Sequence, residues 1–352
     1  MSRADDRFEN ALTIIRSAVE GGQVPSAAMI VRKRGQTILD WVGGALPDQA
    51  PVFLIASITK PIVCAAAALL LERGLFDLDD PLAMHMPEFA ANGKGGVLIR
   101  HLFTHTSGLP DMLPENEELR RRQAPLSEFV AGVCAQPLLF EPGSRVSYQS
   151  MGILMLAELV ERKSGLPLRD LLERQFFGPL GMRSTSLGLA PRLAGRVVDA
   201  TAAADAEGSW VWNTPYWRNL GAPWGGAFST TGDLARFLEA MLGGGELDGT
   251  RVLGAGTVSR MLSNQIAVMP GIPERIRASE AWGLGWRIQL GGLSGFFGAL
   301  VPPGAFGHAG ATGTLAWADP AGESACVILT NGPMPQTGRT LMLVSNAVAA
   351  QL

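Results

Sequence analysis

Apolar residues recur along this chain with two periods, and the switches between them predict most of its elements. Residues 6–20 carry a helical pattern. From Ala27 to Val42 apolar and polar positions alternate around Arg34-Gly35, as a β-hairpin requires. A helix is expected from Ser57 to Arg73, with Ile58, Ile62, Ala65 and Leu69 on one stripe and Gly74 after the last turn. Helices follow over 125–135, 148–164 and 167–177. In the second of these, Ile153, Leu156, Ala157 and Val160 fall at i, i+3, i+4 and i+7, and Gly165 supplies a stop. Another helix runs from Thr231 to the glycines at 243–245. The last quarter turns strand-like over 282–290, 312–318 and 324–330, and a helix over 337–350 closes the chain.

This order predicts an α+β fold, with an antiparallel sheet drawn from both chain ends, flanked by helices, and a helical insertion between its parts. The expected division gives residues 1–75 and 220–352 to the sheet domain and 76–219 to the insertion, with a cleft between them.

Composition narrows the function. Of 352 residues, 47% are hydrophobic and 17% charged, which supplies a large core and excludes a disordered chain. The formal net charge of −3 argues against nucleic-acid binding. The run Arg120-Arg121-Arg122, close behind Glu115, Glu117 and Glu118, reads as a solvated helix face. Cys64, Cys134 and Cys326 form no paired motif and read as thiols kept reduced. The start MSRADDRFEN is acidic where an export signal is basic, and the longest apolar run, Pro61 to Leu71, is too short to span a bilayer. A cytoplasmic protein without membrane contact is expected.

The candidate chemistry begins at Lys60, the only charged residue between Val52 and Leu71. Burying an ammonium is costly and depresses its pKa, which is how a lysine becomes a base. Ser57 lies three residues earlier, so a helix would bring the two side chains together. A serine hydroxyl attacks only once a neighbouring base takes its proton. The plainer alternative makes Ser57 a helix cap and lets Lys60 extend to water. Other templates are missing. There is no G-x-S-x-G, the pair His101 and His105 lacks the glutamate of a zinc-protease helix, Asp77-Leu-Asp79-Asp80 lacks the rest of a calcium loop, and no phosphate-binding glycine loop is present. Neither metal nor cofactor is expected.

Five motifs then fall in one order: Ser57-Ile-Thr-Lys60, Leu102-Phe-Thr-His-Thr-Ser-Gly-Leu109, Tyr148 after Glu141-Pro-Gly-Ser, Gly225-Gly226-Ala-Phe-Ser-Thr-Thr-Gly-Asp233, and Gly307-His-Ala-Gly310. With them the chain from about residue 10 to 350 resembles the serine β-lactamase-like superfamily, on the branch that holds class C β-lactamases, family VIII carboxylesterases and D-peptidases. The resemblance implies a β-lactamase/transpeptidase-like fold with Ser57 as the acylated nucleophile. Lys60 would hold Tyr148 toward its phenolate or itself take the serine proton, and Tyr148 would pass a proton to the leaving group. It places the oxyanion hole at the backbone N–H groups of Ser57 and Ala311, and substrate contacts at His308, Gly310, Ser150 and Trp224.

Two departures shift the expected substrate. His308 stands where such β-lactamases carry a lysine, and could donate a hydrogen bond or carry charge. The family's Tyr-x-Asn reads Tyr148-Gln149-Ser150 here, so an amide-recognising side chain is missing. Both favour a carboxylesterase acting on small to medium esters. The rivals are a β-lactamase or D-peptidase cleaving amides, an acyltransferase, and a binding module without activity. Gln336-Thr-Gly338 is read as a decoy that opens the last helix. Trp210, Trp212, Trp217 and Trp224 crowd one segment with Tyr216, where they line an apolar cleft or form a satellite core.

Overall fold

The computed structural model describes residues 6–47, 49–201, 211–291 and 295–352. Its centre is a six-stranded antiparallel sheet. The strands are β1 (Ser26–Lys33), β2 (Gln36–Gly44), β3 (Arg287–Ile288), β4 (Phe306–Gly310), β5 (Thr314–Asp319) and β6 (Ser324–Thr330), in the spatial order β2-β1-β6-β5-β4-β3. The first two and the last four strands of the chain therefore meet at β1 and β6, in the register Ala28 to Leu329 and Ile30 to Val327.

The hairpin closes where the alternation predicts. Arg34 and Gly35 have φ of 50° and 73°, and two left-handed central residues give a turn whose twist matches the strands. Period-2 alternation divides the sheet between two cores. Met29, Val31, Leu315, Trp317, Cys326 and Ile328 pack under α1 (Glu9–Glu20) and α6 (Met334–Ala349). Ala28, Ile30, Ala316, Val327 and Leu329 face α2 (Thr59–Glu72), α4 (Met151–Ser164) and α5 (Thr231–Leu242). A further helix, α3 (Leu126–Ala135), packs beside α4. Every residue of β6 is buried, because both faces of the sheet are covered.

Several boundaries differ from the sequence reading. The strand expected over 282–290 shrinks to β3, two residues at the sheet edge. β4 went unpredicted, since Phe-Gly-His-Ala-Gly has little β-propensity; it is held by β5 on one side and β3 on the other. α2 starts at Thr59, with Ser57 in a short 3₁₀ turn ahead of it, and α4 starts at Met151, which leaves Tyr148 in the preceding loop. Arg120 is not solvated. It is buried with its guanidinium 4.4 Å above the Trp217 ring, while Arg121 and Arg122 pair with Glu118 and Glu128. Cys64 and Cys326 are buried, Cys134 is half-buried, and all three are free thiols. Among the described residues no helix is long and apolar enough to cross a membrane.

Candidate active site

Ser57 sits in a turn that the backbone would not adopt unaided. Ala56, immediately before it, has φ of 45°, a left-handed conformation that is uncommon outside glycine and costs free energy. Neighbours hold it there. Ile55 N–H donates to Ala227 O (3.0 Å), and Ala227 N–H donates to Thr59 Oγ1 (3.1 Å). From the residues after β4, Thr312 Oγ1 donates to Leu54 O (2.6 Å) and Thr314 Oγ1 to Ile55 O (3.1 Å). β4 can approach this closely because its last residue is glycine: a Cβ on Gly310 would collide with Ile55 O and Thr314 Oγ1.

Lys60 is 1% exposed. Its Nζ lies 2.9 Å from Ser57 Oγ and 2.9 Å from Trp224 O, and 4.7 Å from the centre of the Tyr148 ring. Among the described residues no carboxylate hydrogen-bonds to it. Burial in this uncompensated setting lowers Lys60 from the usual lysine range to about 7, against a smaller upward pull from Asp111. Lys60 can therefore give up its proton beside Ser57 far more readily than an ordinary lysine. The alternatives of a helix cap and a water-seeking lysine are both excluded by this placement: the residue before α2 is Ile58, and Lys60 points inward.

Tyr148 is brought to the same hydroxyl by a loop anchored on residues 101–109. Ser147 N–H donates to His105 O (2.8 Å) and Gln149 N–H to His105 Nδ1 (3.2 Å). The fully buried Gln149 side chain accepts from Ser107 Oγ and donates to His101 O (3.0 Å). Burial pushes the tyrosine hydroxyl above the usual tyrosine range, against a smaller downward pull from the neighbouring Ser57 side chain. The residue as a whole is 37% exposed and lines the cleft.

Ser57, Tyr148, His308, Gly310 and Ala311 line one open cleft of about 1110 Å³. Trp282, Phe296, Val146 and Met334 supply its apolar wall, and Arg287 pairs with Glu280 there, its guanidinium 5.2 Å from the rings of both Trp282 and Phe296. His105 packs at 4.3 Å on Trp282 and 4.7 Å on Tyr148. Ala311 follows the last paired residue of β4, so its N–H lies outside the β4–β5 ladder.

Two expected contacts and one expected charge need correction. Ser150 is buried and gives its hydroxyl to Asp111 Oδ1 (2.6 Å), so it does not face the cleft. The Trp224 side chain packs in the core against Phe129 (5.6 Å) and Trp217 (6.4 Å); what it brings to the site is its carbonyl, on Lys60. Of the aromatic segment, Trp217 and Trp224 belong to the core, Tyr216 donates to Ala124 O (2.8 Å), and Trp210 lies outside the described residues. His308 carries no charge at neutral pH, because burial and the nearby Lys60 lower it to about 3. Trp282, His105, Gln149 and Asp111 were missed as site residues. For His105 the signal was present in the Thr-His-Thr-Ser-Gly motif; for Trp282 it was the glycine-flanked pair Trp282-Gly-Leu-Gly-Trp286.

A protein of Escherichia coli (strain K12), named as a D-alanyl-D-alanine carboxypeptidase of unproven activity, is 26% identical in an alignment of 294 positions that covers 75% of this chain and 65% of that one. This chain thus spans just under two thirds of that relative's length. Esterase EstB of Burkholderia gladioli is 34% identical over 52% of this chain and 50% of its own. A penicillin-binding protein homologue from Caulobacter crescentus superposes with a TM-score of 0.81 over 100% of this chain and 99% of its own; at 22% identity that likeness is one of fold. The sequence profile of the beta-lactamase family matches residues 12–351, and by that match the chain belongs to the beta-lactamase family of serine hydrolases.

Proposed function

We propose that this hydrolase cleaves small to medium carboxylic esters through an acyl-enzyme on Ser57. The observation that carries the proposal is the 2.9 Å contact between Ser57 Oγ and a buried lysine that lacks a carboxylate partner among the described residues. A base works best with a pKa near the working pH, and Lys60 at about 7 meets that condition. Tyr148, held as a phenol, is poor as a first base and suited to protonate the leaving alcohol. In this scheme the free Lys60 amine takes the Ser57 proton as Oγ attacks. The Ser57 and Ala311 N–H groups bind the oxyanion, and Tyr148 relays the proton to the departing oxygen.

The apolar wall and the pairing of Arg287 with Glu280 favour uncharged substrates. The name of the Escherichia coli relative supports the rival reading, cleavage of an amide by a D-peptidase. Against it, Ser150 is occupied by Asp111 and His308 is uncharged, so neither reaches out to a peptide amide or a carboxylate.

The test is intact-protein mass and nitrophenol release with p-nitrophenyl butyrate, with nitrocefin as the competing amide. The expected result is ester turnover and a butyryl adduct, both absent in Ser57→Ala, with little nitrocefin cleavage. Preferential nitrocefin turnover would install the amide reading instead.

A further inference from the structure

His308 lies two residues before Gly310 on β4, so their side-chain directions share one face of the strand. That is the face on which a Cβ at Gly310 would meet Ile55 O and Ala56. The imidazole therefore points toward the turn that carries Ser57, and its ring centre is 5.9 Å from those of Tyr148 and Trp282. His308 is 2% exposed. Its Nδ1 lies 2.7 Å from Ala309 O, and since a carbonyl only accepts, Nδ1 carries the proton. Nε2 is then a bare acceptor, buried and without a partner among the described residues.

An acceptor is unexpected here. An ester has no hydrogen-bond donor at its scissile bond, so Nε2 has nothing to bind during acylation. Deacylation differs, because the attacking water brings two O–H groups and the base can take only one.

We infer that His308 Nε2 accepts the second O–H of the water that attacks the acyl-enzyme, and that His308 thereby makes the site choose water over alcohols. This inference rests on the acyl-enzyme proposed above. As the water oxygen bonds to the acyl carbon, one proton passes to the Lys60–Tyr148 pair and the other stays on oxygen, hydrogen-bonded to Nε2. Collapse of the tetrahedral intermediate breaks the bond between the acyl carbon and Ser57 Oγ. The transferred proton returns to Oγ, and the carboxylic acid departs. His308 gains and loses no proton; it is a positioning residue. An alcohol has one O–H, which the base must take, so alcoholysis leaves Nε2 unpaired as it is in the free enzyme and forgoes the hydrogen bond that water supplies.

The experiment forms the butyryl-enzyme from p-nitrophenyl butyrate in water containing methanol, and measures butyric acid against methyl butyrate. This ratio depends neither on the acylation rate nor on the fraction of active protein. His308→Asn keeps a polar group near Nδ1 but places nothing at Nε2, whereas the longer amide of His308→Gln returns an acceptor there. The expected result is a shift toward methyl butyrate of about tenfold or more in His308→Asn, with butyryl-enzyme accumulating in the intact mass, and a wild-type ratio in His308→Gln. An unchanged ratio in His308→Asn overturns the inference, as does an equal shift in both variants. If wild type forms no butyryl-enzyme on Ser57, it is the ester-cleavage reading that fails.

Discussion

Two lysines are buried in this protein, and they are buried in different ways. Lys94 is 0% exposed and donates to three carbonyls, Ala91 O (2.7 Å), Cys134 O (2.9 Å) and Gln136 O (2.6 Å). The last two carbonyls lie at the C-terminal end of α3, where a positive charge is favourable. All three N–H bonds are used, so loss of a proton would strand an acceptor. Lys60 has one carbonyl and one hydroxyl. As a neutral amine it still satisfies Trp224 O and can turn its lone pair to the Ser57 hydroxyl, so deprotonation strands nothing. Burial lowers both lysines from the ordinary range. The partners decide which of them becomes a base.

The largest expected effect separates the two by activity. Lys60→Met should lower kcat/KM for p-nitrophenyl butyrate by about 10⁴-fold or more, as loss of one member of a catalytic unit does. Lys94→Met should leave the kcat/KM of its folded fraction within several-fold of wild type. Activity in Lys60→Met near wild type would erase the distinction.

Stability should separate them in the opposite sense. Lys94→Met leaves three buried carbonyls without donors and should cost about 2–4 kcal/mol in urea unfolding. Lys60→Met removes an amine that is harder to protonate when folded than when unfolded, and should gain about 1–3 kcal/mol near pH 6. The sign follows from linkage. Between the folded value of about 7 and the ordinary lysine value, the unfolded chain binds the extra proton, so wild-type stability rises with pH across that window. The gap between Lys60→Met and wild type should therefore shrink from pH 7 to pH 10.

Smaller effects sharpen the assignment of the two proton carriers. Tyr148→Phe should slow ethyl butyrate about 10²-fold or more and p-nitrophenyl butyrate much less, since nitrophenolate departs without a proton. Ser150→Ala should change kcat/KM by less than about threefold while costing about 1 kcal/mol of stability, because its hydroxyl serves Asp111. A large loss of activity in Ser150→Ala would return that residue to the substrate side.

Much of this was legible in the sequence where local chemistry decides. The hairpin at Arg34-Gly35 and the helix ending at Gly165, whose φ is 68°, follow from turn and cap preferences. Lys60 stood out because a lone charge in an apolar helix is costly. What the sequence hid depends on distant partners. β4 has weak strand propensity and is made a strand by β5 and β3. Trp224 and Trp282 cannot be ranked from sequence, yet one fills the core and the other walls the cleft. Ser150, at the third position of a departed Tyr-x-Asn, was expected to touch substrate, but its hydroxyl goes to Asp111. The charge of His308 was equally out of reach, being set by burial and by Lys60.

The central claim is that Lys60, as a free amine, takes the proton from Ser57. Its most direct test is the pH dependence of the single-turnover acylation rate, followed by intact mass with p-nitrophenyl butyrate between pH 5 and 10. The account predicts butyrylation confined to Ser57, with a rate that rises with pH, is half-maximal near pH 7 and then levels off. A rate still climbing above pH 9 would place the base on Tyr148, and an adduct that persists in Ser57→Ala would contradict the nucleophile itself.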